Sequence, residues 1–218
     1  GKRSHATVID DLLTLCSIAE SRYIYTRIVE ACLPDVDLQI THRPIAPMSD
    51  LKEIIPRANL QSFVCESLDK LQQQTWKDEI GFIPAIIWYS QAQRSFRASI
   101  FPLELSLYWV VLEVLASAYV QRQGLSARIR NKKERVKKLI DSYGFLRSPW
   151  SFINSAIDDW YEVRCASFHE GKLPSWSNTK FEQRWRQLAE FVSFILASLL
   201  QKQDAAWENQ IAARISAY

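Results

Sequence analysis

Glycine is scarce in this sequence, and its cysteines form no metal-binding pattern. Only five glycines and eight prolines occur in 218 residues, which disfavours a β-sandwich with many turns and suits long helices with few interruptions. The four cysteines are far apart, without C-x-x-C or C-x-x-H spacing, so no short segment can assemble a zinc site. We therefore expect an all-α protein with reduced thiols and with neither a metal nor a cofactor.

A long uncharged apolar run is also missing. The most apolar segment, residues 105–120, contains Glu113 and is shorter than the roughly 20 apolar residues that a membrane-spanning helix needs. It predicts a buried core helix. No positively charged segment followed by an apolar one marks a secretory leader, so we expect a cytoplasmic protein without a membrane partner. The first residue is Gly1 rather than Met, which leaves open a longer protein with an upstream sensor domain.

Several familiar kinds of catalytic site are absent from the sequence. It has no glycine-rich phosphate loop and no serine-centred elbow. The adjacent pairs Asp10-Asp11 and Asp158-Asp159 point apart on a helix, so they do not form a two-metal nuclease site. The net charge of +3 is too small by itself to predict nucleic-acid binding, and the placement of the charges has to carry that argument.

What the sequence does have is helical periodicity. Hydrophobic residues make up 48% of the chain and charged residues 23%, values typical of a folded globular protein. Apolar spacing and turn residues divide it into an N-terminal helical region, residues 1–100, and a helical bundle, residues 101–218. In the first region we predict helix over residues 6–33 and 50–97, with breaks at Pro56, Gly81 and Pro84, and a short strand or an extended linker over residues 37–43. In the second we predict helices over residues 102–123, 128–142, 148–168 and 179–203, the last of which the final residues can extend.

The third helix of the bundle ends in an arginine and a histidine that suit RNA chemistry. Arg164 and His169 form an R-x-x-x-x-H motif just before Gly171. Such a spacing arises by chance in about one-fifth of chains of this composition, so the spacing alone predicts little. The position of Arg164 on its helix strengthens the prediction of a functional site, because Arg164 continues the apolar stripe of Ile157 and Trp160. A guanidinium there needs a structural carboxylate, an anion-binding cleft or an escape to solvent at the helix end.

An imidazole and a guanidinium can together cleave RNA without a metal. The imidazole can accept the proton of a 2′-hydroxyl or protonate the leaving 5′-oxygen, and the guanidinium can stabilise the charge on the phosphorane. On a continuing α-helix, however, residues five apart point about 140° away from each other. We therefore expect His169 and Arg164 to meet at one phosphate only if the helix ends between them or two subunits contribute. A histidine near a helix end is otherwise a capping or surface residue.

The second half of the chain resembles HEPN domains, and the whole is most similar to the Apea-like branch of bacterial defence proteins. Three features carry the resemblance, in the family's order, between residues 101 and 200: Val-Leu-Glu-Val-Leu at 111–115, a basic amphipathic helix ending at Gly144, and the R-x-x-x-x-H motif followed by glycine. The resemblance implies a HEPN-type helical bundle, a homodimer and an RNA endonuclease in anti-phage defence or toxin-like abortive infection, with tRNA among the candidate substrates. It assigns catalysis to Arg164 and His169.

One departure from the family leaves a second function open. The residue after the arginine is commonly Asn, Asp or His in active members, and here it is Cys165. A neutral thiol replaces such a polar contact poorly. The alternative is a catalytically inactive helical module for nucleotide binding or for protein pairing.

Two acidic residues have both a supporting and a structural interpretation. Glu113 is alone in its apolar helix, and the resemblance suggests it as the partner of Arg164 or as a hydrogen-bond acceptor inside the bundle. A buried carboxylate needs some partner in either case. Glu170 can orient the ring of His169, or it can be a solvated neighbour.

Basic and aromatic side chains supply the remaining candidates. The basic helix carries seven cations, of which Arg130, Lys133 and Lys137 are the candidate contacts to RNA phosphates, although most charged faces are only solvated. Most of the eight tryptophans repeat at helical spacing and are expected in the core. Trp176, in the loop after the motif, is the one that can stack on a base.

Overall fold

Helices make up the regular structure of residues 5–19, 53–95, 101–170 and 173–218, which are the residues that the computed structural model describes. Nine α-helices and no strand occur in these ranges, which confirms the all-α prediction. The helices are α1 (His5–Ala19), α2 (Leu60–Leu71), α3 (Gln74–Ile80), α4 (Phe82–Ser95), α5 (Phe101–Arg122), α6 (Lys132–Ser142), α7 (Ile153–Cys165), α8 (Asn178–Leu200) and α9 (Ala205–Ser216). The strand or linker over residues 37–43, and any helix after Ala19 in the first segment, lie outside the described residues.

Helix α5 is the centre of the fold. It contacts α3, α4, α6, α7 and α8, because apolar residues lie around most of its circumference. Within the described residues it is also the one helix long and apolar enough to cross a membrane, yet 67% of that segment is buried inside the protein. The prediction of a buried core helix is therefore confirmed. The helix ends near Gly124, whose positive φ of 67° suits a residue without a Cβ.

The described part of the first hundred residues packs on the same core. Leu15 of α1, Phe63 of α2 and Tyr89 of α4 belong to one apolar cluster with residues of the bundle. The predicted break at Gly81 is confirmed, since this residue has a φ of 66° and a Cβ there would lie 3.2 Å from the Cβ of Ala118 on α5. The break near Gly81 and Pro84 falls just before the proline, which lies in the first turn of α4, where no backbone donor is needed.

Helices α6 and α7 begin later than predicted. Helix α6 starts at Lys132 rather than at residue 128, because the Asn131 side chain accepts a hydrogen bond from the backbone of Glu134 and caps the first turn. Helix α7 starts at Ile153 rather than at residue 148. Turns occupy the preceding residues and bury Trp150, whose ring centroid lies 4.8 Å from that of Phe194. Tertiary packing of aromatic rings thus overrides the local signal for a helix start.

The C-terminal residues form a separate helix instead of continuing α8. The side chain of Asp204 accepts hydrogen bonds from the backbone of Ala206 and Trp207 and starts α9. Arg214 then pairs at 2.8 Å with Glu190 of α8, which is completely buried. This ion pair holds α9 against the bundle.

A buried carboxyl near the start of α5 makes the fold sensitive to pH. Glu104 is almost completely buried, and within the described residues neither of its carboxyl oxygens accepts a hydrogen bond of good geometry. Desolvation raises the pKa of Glu104 to about 9, although the nearby indole of Trp185 favours the charged form. The side chain is therefore a neutral carboxylic acid at neutral pH.

We predict that Glu104→Gln stabilises the protein at alkaline pH and changes little near pH 5. The folded protein retains a proton that the unfolded chain releases, so stability falls as the pH rises from about 4.5 to about 9. A neutral amide removes this loss, which is on the order of 5 kcal/mol at about pH 8. Urea unfolding across this range measures the effect, with exposed Glu79→Gln as the control. A pH dependence that Glu104→Gln leaves unchanged would contradict the prediction.

Candidate functional site

A π-helical turn, Ala166–Glu170, brings Arg164 and His169 together. It continues α7 without a break and is called the π-turn below. Because π-helical hydrogen bonds join residues five apart, residues i and i+5 lie on the same face. Arg164 Nη1 and His169 Nε2 are 2.5 Å apart within one chain. The two side chains were expected to diverge on a continuing α-helix, but the α-helix ends at Cys165, between them, and gives way to the π-turn. The contact therefore forms within one chain.

The contact defines the roles of the two groups. A guanidinium can only donate hydrogen bonds, so Nε2 of His169 is the acceptor in this contact. Arg164 is only 7% exposed, whereas His169 is exposed. The pair therefore extends from the interior of the bundle to its surface, with the imidazole accessible to solvent.

Glu113 of α5 holds the guanidinium from the inner side. Arg164 Nη2 donates to Oε2 at 3.4 Å, and Nε lies 3.0 Å from Oε1 at an angle unsuited to a hydrogen bond, so the second contact is purely electrostatic. The indole of Trp109 donates to Oε1 at 2.9 Å, and Lys132 Nζ lies 3.2 Å from Oε2. Glu113 thus makes both kinds of contact expected for it, as the partner of Arg164 and as a hydrogen-bond acceptor inside the bundle.

The guanidinium retains unused donors. Within the described part of the chain, three of the five N–H groups of Arg164 have no hydrogen-bond partner. The ring of Phe168 lies beside it, with 5.5 Å between the guanidinium carbon and the ring centroid. A phosphate oxygen that approached along the His169 side would meet donors already oriented by Glu113.

The basic residues of α6 border this cluster. Lys133 and Lys137 both lie close to Asp158 of α7, with Nζ to Oδ1 distances of 3.4 and 3.2 Å. Slight burial raises the pKa of Asp158, but hydrogen bonds and the charges of Lys137 and Lys133 outweigh it and hold that pKa below its usual value. Arg130 is exposed in the loop before α6. Two of the seven predicted helix cations, Arg128 and Arg130, thus precede the helix.

The side chain of Cys165 acts on that of Tyr161, one turn earlier on α7. A side-chain hydrogen bond with Cys165, followed by burial, raises the pKa of Tyr161 above its ordinary value. The tyrosine ring also lies 5.6 Å from the ring of Trp109 and 5.6 Å from Lys133 Nζ. Tyr161 therefore links α7 to both α5 and α6.

Sequence reasoning missed three neighbours of the motif, namely Lys132, Tyr161 and Phe168. Tyr161 and Phe168 could have been found, because residues three or four positions from Arg164 share its helix face. Lys132 has no such signal, since its contact with Glu113 depends on how α5 and α6 pack. The side chain of Glu170 lies outside what the structure describes, so its predicted role stays a prediction.

The aromatic predictions divide between the core and the loop. Trp109, Trp150, Trp160 and Trp185 are fully buried, as expected, whereas Trp88 is exposed. The ring predicted to stack on a base, Trp176, is half-buried against Phe181, and Lys180 Nζ lies 3.9 Å from its centroid. Both contacts are within the protein, and the role of Trp176 in stacking on a base stays a prediction.

No cluster of three or more His, Cys, Asp or Glu side chains suited to a metal occurs among the described residues. Cys16, Cys65 and Cys165 are free thiols, and Cys32 lies outside those residues. A small cavity lined by Ile80, Leu115 and Ile195 contains no residue of the candidate site. In comparisons with known proteins, no family model, curated protein or solved structure matches this chain.

We predict that Glu113→Ala destabilises the protein by about 3 kcal/mol, because it leaves the buried guanidinium of Arg164 without its carboxylate. Lys132→Ala removes a cation from the same carboxylate, but this lysine is 55% exposed, so its loss should cost less than about 1 kcal/mol. Urea unfolding of both variants measures the difference. Equal effects of the two substitutions would show that Glu113 does not anchor Arg164.

Proposed function

We propose that this protein is a metal-independent RNA endonuclease of the HEPN type, in which His169 transfers protons and Arg164 stabilises the scissile phosphate. The observation that carries the proposal is the contact between the buried guanidinium and the exposed imidazole in the π-turn. It supplies two groups that phosphodiester cleavage needs, a proton acceptor and a fixed cation, at one point of the surface.

The reaction is a transesterification within the RNA. His169 accepts the proton of a ribose 2′-hydroxyl, and the 2′-oxygen forms a bond to the adjacent phosphorus. Arg164 donates to the phosphorane oxygens through Nη1, the nitrogen that contacts His169 and not Glu113. The bond from phosphorus to the 5′-oxygen then breaks, and that oxygen takes a proton from water or from an imidazolium. The products carry a 2′,3′-cyclic phosphate and a 5′-hydroxyl.

The charge around the motif supports an anionic substrate. Arg164 and Lys132 share the single carboxylate of Glu113, which leaves one positive charge uncompensated beside His169. Lys133 and Lys137 extend this positive surface along α6 and share only Asp158. An RNA backbone that crosses the motif would therefore meet further cations on one side.

The resemblance to the Apea-like branch extends the proposal to a cellular role. It includes a homodimer, cytoplasmic RNA such as tRNA as the substrate, and action in anti-phage defence or abortive infection, with an upstream sensor domain as the trigger. Sedimentation of the purified protein tests the dimer independently of the chemistry.

A second candidate function is a catalytically inactive module that binds nucleotides or pairs with another protein. The observation that favours it is the burial of Arg164, whose ion pair with Glu113 is sufficient to explain a guanidinium at this position. Cys165 is compatible with it, because a thiol follows the arginine where active members of the resembling family commonly have Asn, Asp or His.

We predict that the purified protein cuts single-stranded RNA in EDTA and that His169→Ala and Arg164→Ala each reduce the rate by at least about a hundredfold. The reason is that one variant lacks the proton acceptor and the other lacks the phosphorane cation. Gel analysis of a labelled RNA measures the rate, and a strand with 2′-deoxy nucleotides should resist cleavage. Arg128→Ala, which removes an exposed arginine in the loop before α6, is the matched control.

The outcomes separate the two candidate functions. Equal cutting by all four proteins would reveal a contaminating nuclease and refute the endonuclease. Binding of RNA without cutting, with the same affinity in the wild type and in His169→Ala, would favour the inactive module.

We predict opposite effects of two charge changes on RNA binding. Replacing Lys133 and Lys137 by Gln should weaken binding and reduce the slope of log affinity against log salt by about 2, because two phosphate contacts are lost. Asp158→Asn should strengthen binding, since it releases both lysines. Asp141→Asn removes the same charge from an exposed position of α6 and serves as the control. Fluorescence anisotropy in EDTA with a cleavage-resistant 2′-O-methyl strand measures the RNA affinity of these three variants. Equal affinities of Asp158→Asn and Asp141→Asn would contradict a specific role for Lys133 and Lys137.

A further inference from the structure

Phe168 is a large apolar side chain left at the surface beside the candidate site. It precedes His169 in the π-turn and is 46% exposed. It belongs neither to the buried core nor to the partly buried residues packed on that core. Burial of such a ring would normally stabilise a protein by roughly 1.5–3 kcal/mol, so the position of Phe168 contributes little to the stability of the fold.

The same guanidinium contacts both the phenyl ring and the imidazole. Arg164 lies 5.5 Å from the centroid of Phe168 and is hydrogen-bonded to His169. The ring is thus fixed on its Arg164 side by a cation–π contact. Its exposed area faces solvent next to the imidazole. Of the other aromatic rings near the motif, Trp109 is buried and Tyr161 is half-buried, so neither offers a comparable surface.

We propose that Phe168 is a specificity-determining residue that stacks on the base next to the scissile phosphate, and that the substrate is therefore RNA with an unpaired nucleotide at the cleavage point. This inference rests on the proposed function. A phosphate held by Arg164 and His169 brings the base of an adjoining nucleotide to the exposed side of the ring. In a duplex both faces of each base are covered by neighbouring base pairs, so only an unpaired base can stack on a side chain.

The alternative explanation is that Phe168 only shields the guanidinium from water. In that case any apolar side chain of similar size would serve, and the ring itself would not matter. Phe168→Leu and Phe168→Tyr distinguish the two explanations, because leucine keeps the apolar volume without a π-face and tyrosine keeps the π-face.

The test uses the full chain and a single-stranded 2′-O-methyl oligoadenylate that contains one 2-aminopurine and resists cleavage. We expect 2-aminopurine quenching on binding to the wild type and to Phe168→Tyr. In Phe168→Leu the quenching should disappear and the affinity should fall about tenfold. When the strand is hybridised to its complement, protein binding should cause no further quenching.

Leu173→Ala is the control, because it alters another exposed apolar residue of this region. It should behave like the wild type, and all variants should keep the wild-type unfolding midpoint.

The failure of this inference and the failure of the endonuclease have different signatures. If the wild type cuts RNA and Phe168→Leu binds, quenches and cuts equally well, stacking is refuted and the endonuclease stands. If quenching depends on the aromatic ring but no RNA is cut, the base-stacking site stands in a binding module and the endonuclease fails. If Phe168→Leu and Leu173→Ala lose affinity equally, the effect comes from general apolar contact, and stacking is again refuted.

Discussion

The ion pair between Glu113 and Arg164 is the interaction on which the site depends. It joins the central helix α5 to α7 at a point where both side chains are about nine-tenths buried. Such a pair is not a strong source of stability, because the desolvation of two charges offsets most of their attraction, and an apolar pair of similar size would often hold two helices together as well. Its presence in an otherwise apolar contact is better explained by the orientation that it imposes on the guanidinium. Trp109 fixes the carboxylate, and the carboxylate fixes Arg164.

The helical core follows from the sequence because it depends on local periodicity. The apolar stripe that includes Ile157 and Trp160 is buried as predicted, and α5 ends where glycine allows a positive φ. The boundaries that could not be predicted depend on long-range packing. Residues before α7 form turns because Trp150 inserts among the rings of α8, and α9 docks through Arg214 onto a glutamate of α8. No window of neighbouring residues contains that information.

The candidate site is predictable only in part for the same reason. The motif identified Arg164 and His169, and the resemblance suggested Glu113, but Lys132 reaches the same carboxylate across the packing of α5 and α6. The π-turn could not be predicted from the sequence either, because a periodicity of 3.6 residues in the apolar positions does not indicate where a single turn widens. Asp158 is a further residue whose contacts the sequence did not predict. As half of an adjacent acidic pair it was set aside as a metal ligand, and its contacts in the structure are with two lysines of the basic helix.

The spacing of the motif and the geometry of the π-turn belong together. In an α-helix the residue four positions after an arginine lies above it, and a histidine five positions later turns away. The π-turn adds the equivalent of one residue to that cycle, so His169 takes the place above Arg164 while Phe168 remains in contact with the guanidinium. Because Glu113 holds the guanidinium through the opposite nitrogen, the Nη1 side can exchange its imidazole for a phosphate oxygen without moving the arginine. In the proposed reaction the histidine is then the group that moves, and its exposure gives it the room to reach a 2′-hydroxyl.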